Sequence, residues 1–251
     1  MIKEEQALNN NDGGQNQMNV THYVALQARP HISRRRFILM PHSVPYQITW
    51  SKTGRRKTSI KLVLDGNVIL QAKKCKVLDR FIISQNDNFS RSSPSYQGTL
   101  KRFINSKGYT LLIPSTLNGQ AKESEKIGIT FSFSLENGMA TEIRVALAQN
   151  DTYFPRNRHE SLQRLAIPVS NSGNISIIHS EVPARLSNGR LFLNFGQVDV
   201  IRSVKNFILR DENQRPILMI FKSANQQCTL KYSSSITPLI AFAISISIID
   251  Y

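Results

Sequence analysis

The sequence predicts an all-β protein whose sheet closes into a barrel around one buried C-terminal helix. Two observations carry this. From Tyr46 to Tyr232, short runs rich in β-branched and aromatic residues follow one another, separated by turn-forming residues, the pattern of a sandwich or barrel. The last stretch, Pro238-Leu-Ile-Ala-Phe-Ala-Ile-Ser-Ile-Ser-Ile-Ile249, is apolar apart from two serines. A helix with no polar face has to be surrounded. A barrel closed around it buries the helix and removes the sheet edges together.

In chain order, residues 1–33 read as a disordered polar lead-in, because Asn9 to Gln17 is rich in turn formers and poor in apolar residues. The barrel domain is expected over 34–251. Arg34-Arg35-Arg36 before Phe37-Ile38-Leu39-Met40 reads either as a basic targeting or lipid-facing signal or as a solvated strand entry. Ile60–Leu64 and Val68–Leu70 flank Asp65-Gly66-Asn67, a hairpin signal. Phe81–Ser84 and Tyr109–Ile113 are further strands, the latter ended by Pro114. Ile127–Leu135 alternates apolar with small or polar residues, turns at Glu136-Asn137-Gly138 and returns through Ile143–Leu147. Residues 150–190 read as irregular, with a long loop at 153–160. Leu191–Phe195, Val204–Leu209, Ile217–Phe221 and Cys228–Tyr232 give four more strands.

The closing stretch is β-branched enough to compete as a buried strand, but its length, roughly 12 residues, is typical of a helix. Thr237 stands at the N-cap position and Pro238 at the first helical position, where its fixed φ suits a helix. The stretch is too short to cross a bilayer, which takes about 20 apolar residues, so no transmembrane segment is expected.

Charge narrows the partner. The chain has 251 residues and a formal charge of +15. Residues 29–110 hold 17 Lys/Arg against 3 Asp/Glu, a net of +14, and the remainder nets +1. An excess confined to one third of the chain points to an anionic partner, lipid surface or nucleic acid. Cys75 and Cys228 show no metal-type spacing and make no disulfide framework. The opening Met-Ile-Lys-Glu-Glu has no apolar h-region, so a reduced, cytosolic setting is expected.

Three blocks resemble the Tubby family. Asn194-Phe195-Gly196-Gln197-Val198 with Ser203-Val204-Lys205-Asn206-Phe207 is similar to its Asn-Phe-x-Gly-Arg-Val … Ser-Val-Lys-Asn-Phe block. Pro238–Ser247 with Asp250 is similar to its closing Pro-Leu-x-Ala-Phe-Ala-Ile … Ser-Ser-Phe-Asp helix. Phe81-Ile82-Ile83-Ser84, Phe89-Ser90-Arg91 and Ser95-Tyr96-Gln97-Gly98-Thr99-Leu100-Lys101 resemble Tyr-Leu-Ile-Ser … Leu-Ser-Arg … Ser-Tyr-Ile-Gly-Lys-Leu-Arg. The blocks occur in family order. Gln197 replaces the family's Arg, one residue of the first block is missing, and the family's Lys-Leu-Ala-Cys-Glu ending has no counterpart. The resemblance implies a closed antiparallel barrel of about a dozen strands around a C-terminal helix. It also implies binding of phosphatidylinositol 4,5-bisphosphate on the inner face of the plasma membrane, with release to cytosol or nucleus. Phospholipid scramblases share that fold, so a scramblase-like lipid protein is an alternative, as is a nucleic-acid-binding transcription regulator.

The resemblance places phosphoinositide ligands at Lys73, Lys74 and Lys76, where the family carries a longer basic run, and at Lys101, with Arg102 beside it. Along a strand Lys74 and Lys76 share one face and Lys73 takes the other; Lys74 and Lys76 are expected to be exposed. Lys52, Arg55, Arg56 and Lys57 around Gly54 form a basic loop able to lie on an anionic surface. Catalysis is not expected: the five histidines lack ligand spacing, and no P-loop, Gly-x-Ser-x-Gly or Gly-x-Gly-x-x-Gly motif occurs. No cofactor or metal is expected. Trp50, Phe81, Phe89, Tyr96 and Phe103 fall in the basic third, but their strand positions read as core rather than as a base-stacking platform.

Overall fold

A computed structural model describes residues 44–251 except 54–55, 76–77, 104–106, 135–139, 151–152, 158, 167–173 and 189. The lead-in expected over 1–33 and the triplet Arg34–Arg36 lie outside the described residues. The strands are β1 Tyr46–Thr53, β2 Arg56–Leu64, β3 Asn67–Lys74, β4 Arg80–Ser84, β5 Tyr96–Phe103, β6 Gly108–Leu117, β7 Gln120–Ser134 and β8 Ala140–Ala148. The short helix α1 (Leu162–Leu165) follows. Then come β9 Ile175–Ser180, β10 Ala184–Arg185, β11 Leu191–Phe192, β12 Phe207–Arg210, β13 Pro216–Ala224, β14 Gln227–Tyr232 and the helix α2 (Pro238–Asp250). Twelve of these strands close an antiparallel barrel in the order β1-β14-β13-β12-β9-β8-β7-β6-β5-β4-β3-β2. The expected fold class is therefore the observed one.

The barrel is filled by α2. Ten of its 13 residues, Ile240 to Ile249, are buried. They pack against inward residues such as Ile60, Leu62, Phe81, Leu100, Leu111, Ile129 and Val145. Each fully buried isoleucine contributes about 2 kcal/mol of transfer free energy. The two core serines carry no polar penalty, because Ser245 Oγ donates to Ala241 O at 2.8 Å and Ser247 Oγ to Ile244 O at 2.6 Å. At the N-terminus the Thr237 hydroxyl accepts from Ile240 N–H at 3.3 Å, as its N-cap position predicts.

The turn between β2 and β3 has Asp65 at φ 49° and Gly66 at φ 81°. Both angles are positive, as in a type I′ turn whose twist matches the strands it joins. Asn118 and Gly119 (φ 51° and 76°) make the same turn between β6 and β7. Pro114, expected to end its strand, lies inside β6. It is tolerated because β5 pairs with β6 only as far as Leu112, so beyond that point one side of β6 needs no N–H donor.

Three further expectations change. The stretch 150–190 contains α1 and the barrel strand β9. Leu191–Phe195 is not a barrel strand: only Leu191–Phe192 is extended, paired with β10 in a separate two-stranded sheet. Phe195 covers the outside of β12 and β13, packing with Ile208, Met219 and Phe221. Those strands are apolar on both faces, so their outer face needs a cover. Val204–Leu209 also shortens, with β12 starting at Phe207.

Because neighbouring strands alternate in direction, β1–β2, β3–β4, β5–β6 and β13–β14 all connect at one end of the barrel. The C-terminus of α2 reaches the same end, where Asp250 meets Lys74 of β3.

Candidate functional site

The basic third of the chain supplies β1 to β6, so its strand ends converge where α2 terminates. A helix C-terminus carries partial negative charge and favours cations around it. On β3, Leu70 and Ala72 face the core, and by alternation Lys74 takes the same face while Lys73 points outward. On β5, Leu100 faces in, Lys101 is exposed and Arg102 is half-buried on the inner face.

The inward cations are already paired. Lys74 Nζ lies 2.9 Å from Asp250 Oδ1 and 3.4 Å from Asp79 Oδ1. Arg102 NH1 lies 3.6 Å from Asp79 and 3.8 Å from Asp250. The Tyr109 hydroxyl donates to Asp250 Oδ2 at 3.0 Å. Burial first, and the Asp250 charge second, push the Tyr109 pKa far above the ordinary phenol range, so it stays a donor. The side chain of Asp250 is 7% exposed and that of Lys74 is 21% exposed. Two cations therefore meet two carboxylates, which leaves this cluster neutral. Lys74 is thus not the exposed side chain that strand alternation within the basic run suggests: the inner face of β3 ends at the helix terminus, and a carboxylate waits there.

The outward cations are different. Lys73 Nζ lies 5.6 Å from the Phe89 ring centroid and Lys101 Nζ 5.3 Å from that of Phe103. Arg80 stands directly opposite Lys101 in the β4–β5 register. Like charges directly opposed cost stability when nothing neutralises them. Lys73, Arg80 and Lys101 make no ion pair among the described residues, and the buried Arg80 Nε has no hydrogen-bond partner. Glu125 is the carboxylate whose titration feels Lys101. It is engaged elsewhere, accepting from Leu162 N–H at 2.7 Å and Ser161 Oγ at 3.1 Å to hold the start of α1.

The five residues assigned to a headgroup thus separate into an inner pair, Lys74 and Arg102, and an outer pair, Lys73 and Lys101, with Lys76 outside the described residues. Sequence reasoning missed Arg80, although its spacing from Ile82 marks it as outward on β4. Of the basic loop, Lys52 is exposed near the end of β1, Arg56 and Lys57 open β2, and Arg55 lies outside the described residues. Among the described residues no helix is long and apolar enough to cross a membrane. Neither the models of known protein families nor the curated proteins contain a match to this chain.

Proposed function

We propose that the chain is a Tubby-like protein that binds the phosphorylated headgroup of an anionic phospholipid, a phosphoinositide, through the outer basic surface of β3, β4 and β5, and so tethers the barrel to a membrane surface. The observation that carries this is the outward set Lys73, Arg80 and Lys101, three cations on adjacent strands without an ion pair among the described residues. An acceptor-rich dianion removes the Arg80–Lys101 repulsion. The basic ends of β1 and β2 add long-range attraction worth about 1 kcal/mol per charge near an anionic leaflet. The closed barrel around an apolar helix supports the same family. Nucleic acid is favoured less: stacking needs exposed rings, and Phe81 and Tyr96 are buried.

Vesicle co-sedimentation tests this. The parent should prefer phosphatidylinositol 4,5-bisphosphate over phosphatidylserine at matched surface charge. Lys73→Ala with Lys101→Ala should abolish the preference, with little change in melting since both side chains are exposed. Equal binding to both lipids by the parent, or tighter binding to duplex DNA than to either at physiological salt, overturns the assignment.

A further inference from the structure

At the same end of the barrel, a pocket of about 220 Å³ opens between the end of β1 and the β13–β14 hairpin. It shares no lining residue with the surface of β3 to β5. Lys52, Lys205 and Lys222 line it, and no carboxylate does. Lys205 Nζ donates to Ile248 O at 2.9 Å, capping the last turn of α2. Burial pushes its pKa below the ordinary lysine range and Lys52 pushes the same way, while Asp250 opposes them. Lys52 and Lys222 make no ion pair among the described residues.

The neutral lining is donor-rich as well. The Trp50 ring and Ser203 line the same volume. Asn225 and Gln226 contribute amides. Gln226 holds φ +55°, a conformation uncommon for a residue of this type, and its backbone carbonyl accepts from the Trp50 backbone N–H at 3.2 Å, tying the hairpin to β1. Three lysines around one small volume that no carboxylate lines ask for a compact ligand with several acceptor oxygens and more than one negative charge. A carboxylate offers two oxygens and one charge. A phosphate monoester offers three terminal oxygens and close to two charges.

We propose that this pocket binds the phosphate group of a small phosphorylated molecule, held by Lys52, Lys205 and Lys222. The same group arrives either on a soluble molecule or on a lipid headgroup. The site shares no residue with the headgroup surface of β3 to β5, and only Lys52 also belongs to the basic strand ends, so it stands or falls separately from the headgroup assignment.

Trp50 is the single tryptophan of the chain, so intrinsic fluorescence reads the pocket directly. The full chain is titrated with inorganic phosphate, with soluble myo-inositol trisphosphate, and with vesicles containing phosphatidylinositol 4,5-bisphosphate, at ionic strength held constant with chloride. A saturable change with either soluble anion but not with vesicles supports the pocket and identifies a soluble source, and a change with both the trisphosphate and vesicles supports it and identifies the lipid headgroup. A change with vesicles alone supports it and identifies the lipid source. In either case Lys52→Ala with Lys222→Ala should weaken binding at least tenfold, the loss expected for charge-assisted contacts. Should the double variant misfold, Lys52→Ala alone, at an exposed position, carries the comparison. No response beyond the chloride control, or parental affinity in the Lys52 variant and the double variant, overturns the proposal.

Discussion

Lys74 on β3 and Asp250 at the last turn of α2 meet at 2.9 Å although 176 positions separate them in sequence. The contact ties the barrel wall to the end of its core helix. It also gives a cation from the basic run a structural task, with Arg102 and the Tyr109 hydroxyl completing the shell around the carboxylate.

Lys74→Ala should therefore lower the unfolding free energy by about 2 kcal/mol, because it leaves a nearly buried carboxylate short of its nearest cation. Asp250→Asn should cost a comparable amount. Urea denaturation of both single variants and the double variant checks this: the double should cost clearly less than the two singles added. Strict additivity would mean that the two groups do not interact in solution.

Ile244 is fully buried at the centre of α2. Ile244→Asp places a charge in a dry core at a cost of several kcal/mol, enough to leave the chain unfolded or insoluble. Ile244→Val removes one methylene and should cost about 1 kcal/mol while keeping the fold. Circular dichroism melts of the pair measure the contrast. A soluble Asp variant with the parental melting temperature is incompatible with a helix enclosed on all sides.

Gly128 lets α1 lie against β7. A Cβ there would sit 2.0 Å from Gln163 N and 2.1 Å from Leu162 C, both backbone atoms that cannot swing aside. Gly128→Ala should displace α1 at a cost of about 2 kcal/mol and raise protease cleavage within 153–166. The readout is limited proteolysis followed by mass spectrometry, and an unchanged cleavage pattern counts against the close packing.

Burial raises the Glu125 pKa, opposed by the Leu162 N–H, the Ser161 hydroxyl and the Lys101 charge. A carboxyl group whose folded pKa lies above its unfolded one binds its proton more tightly when folded. Its contribution is fully present below the ordinary glutamate range and is lost as pH rises through the raised folded value. Glu125→Gln keeps an acceptor for Leu162 N–H but removes this titration. Melting temperature against pH should then show the parent losing ground to the variant as pH rises from the acid side to neutrality. Parallel curves would show that Glu125 titrates alike in both states.

Much of the fold was legible because its signals are local. Apolarity around the whole circumference of 238–249, and Thr237-Pro238 ahead of it, identify the helix and its need for an enclosing wall. Asp65-Gly66 declares a hairpin from two φ preferences alone. Pro114 misleads because a missing N–H ends a strand only where a partner needs that donor, and pairing is not a local property; Asn118-Gly119 just beyond it carried the better signal. Ile175–Ser180 went unread because it sits among irregular segments and becomes a strand only by pairing with β8 and β12.

The site divides along the same line. The sequence by itself determined that the positive charge lies in one third of the chain and that Lys73 and Lys74 take opposite faces, since charge and alternation are properties of consecutive residues. Only the tertiary structure decided which face is inward, that Asp79 and Asp250 neutralise Lys74 and Arg102, that Arg80 opposes Lys101, and that Lys52, Lys205 and Lys222 surround one pocket with Trp50. These groups meet because twelve strands close into a ring and carry distant segments to one end of it. Loop closure over such separations leaves no trace in the residues being joined.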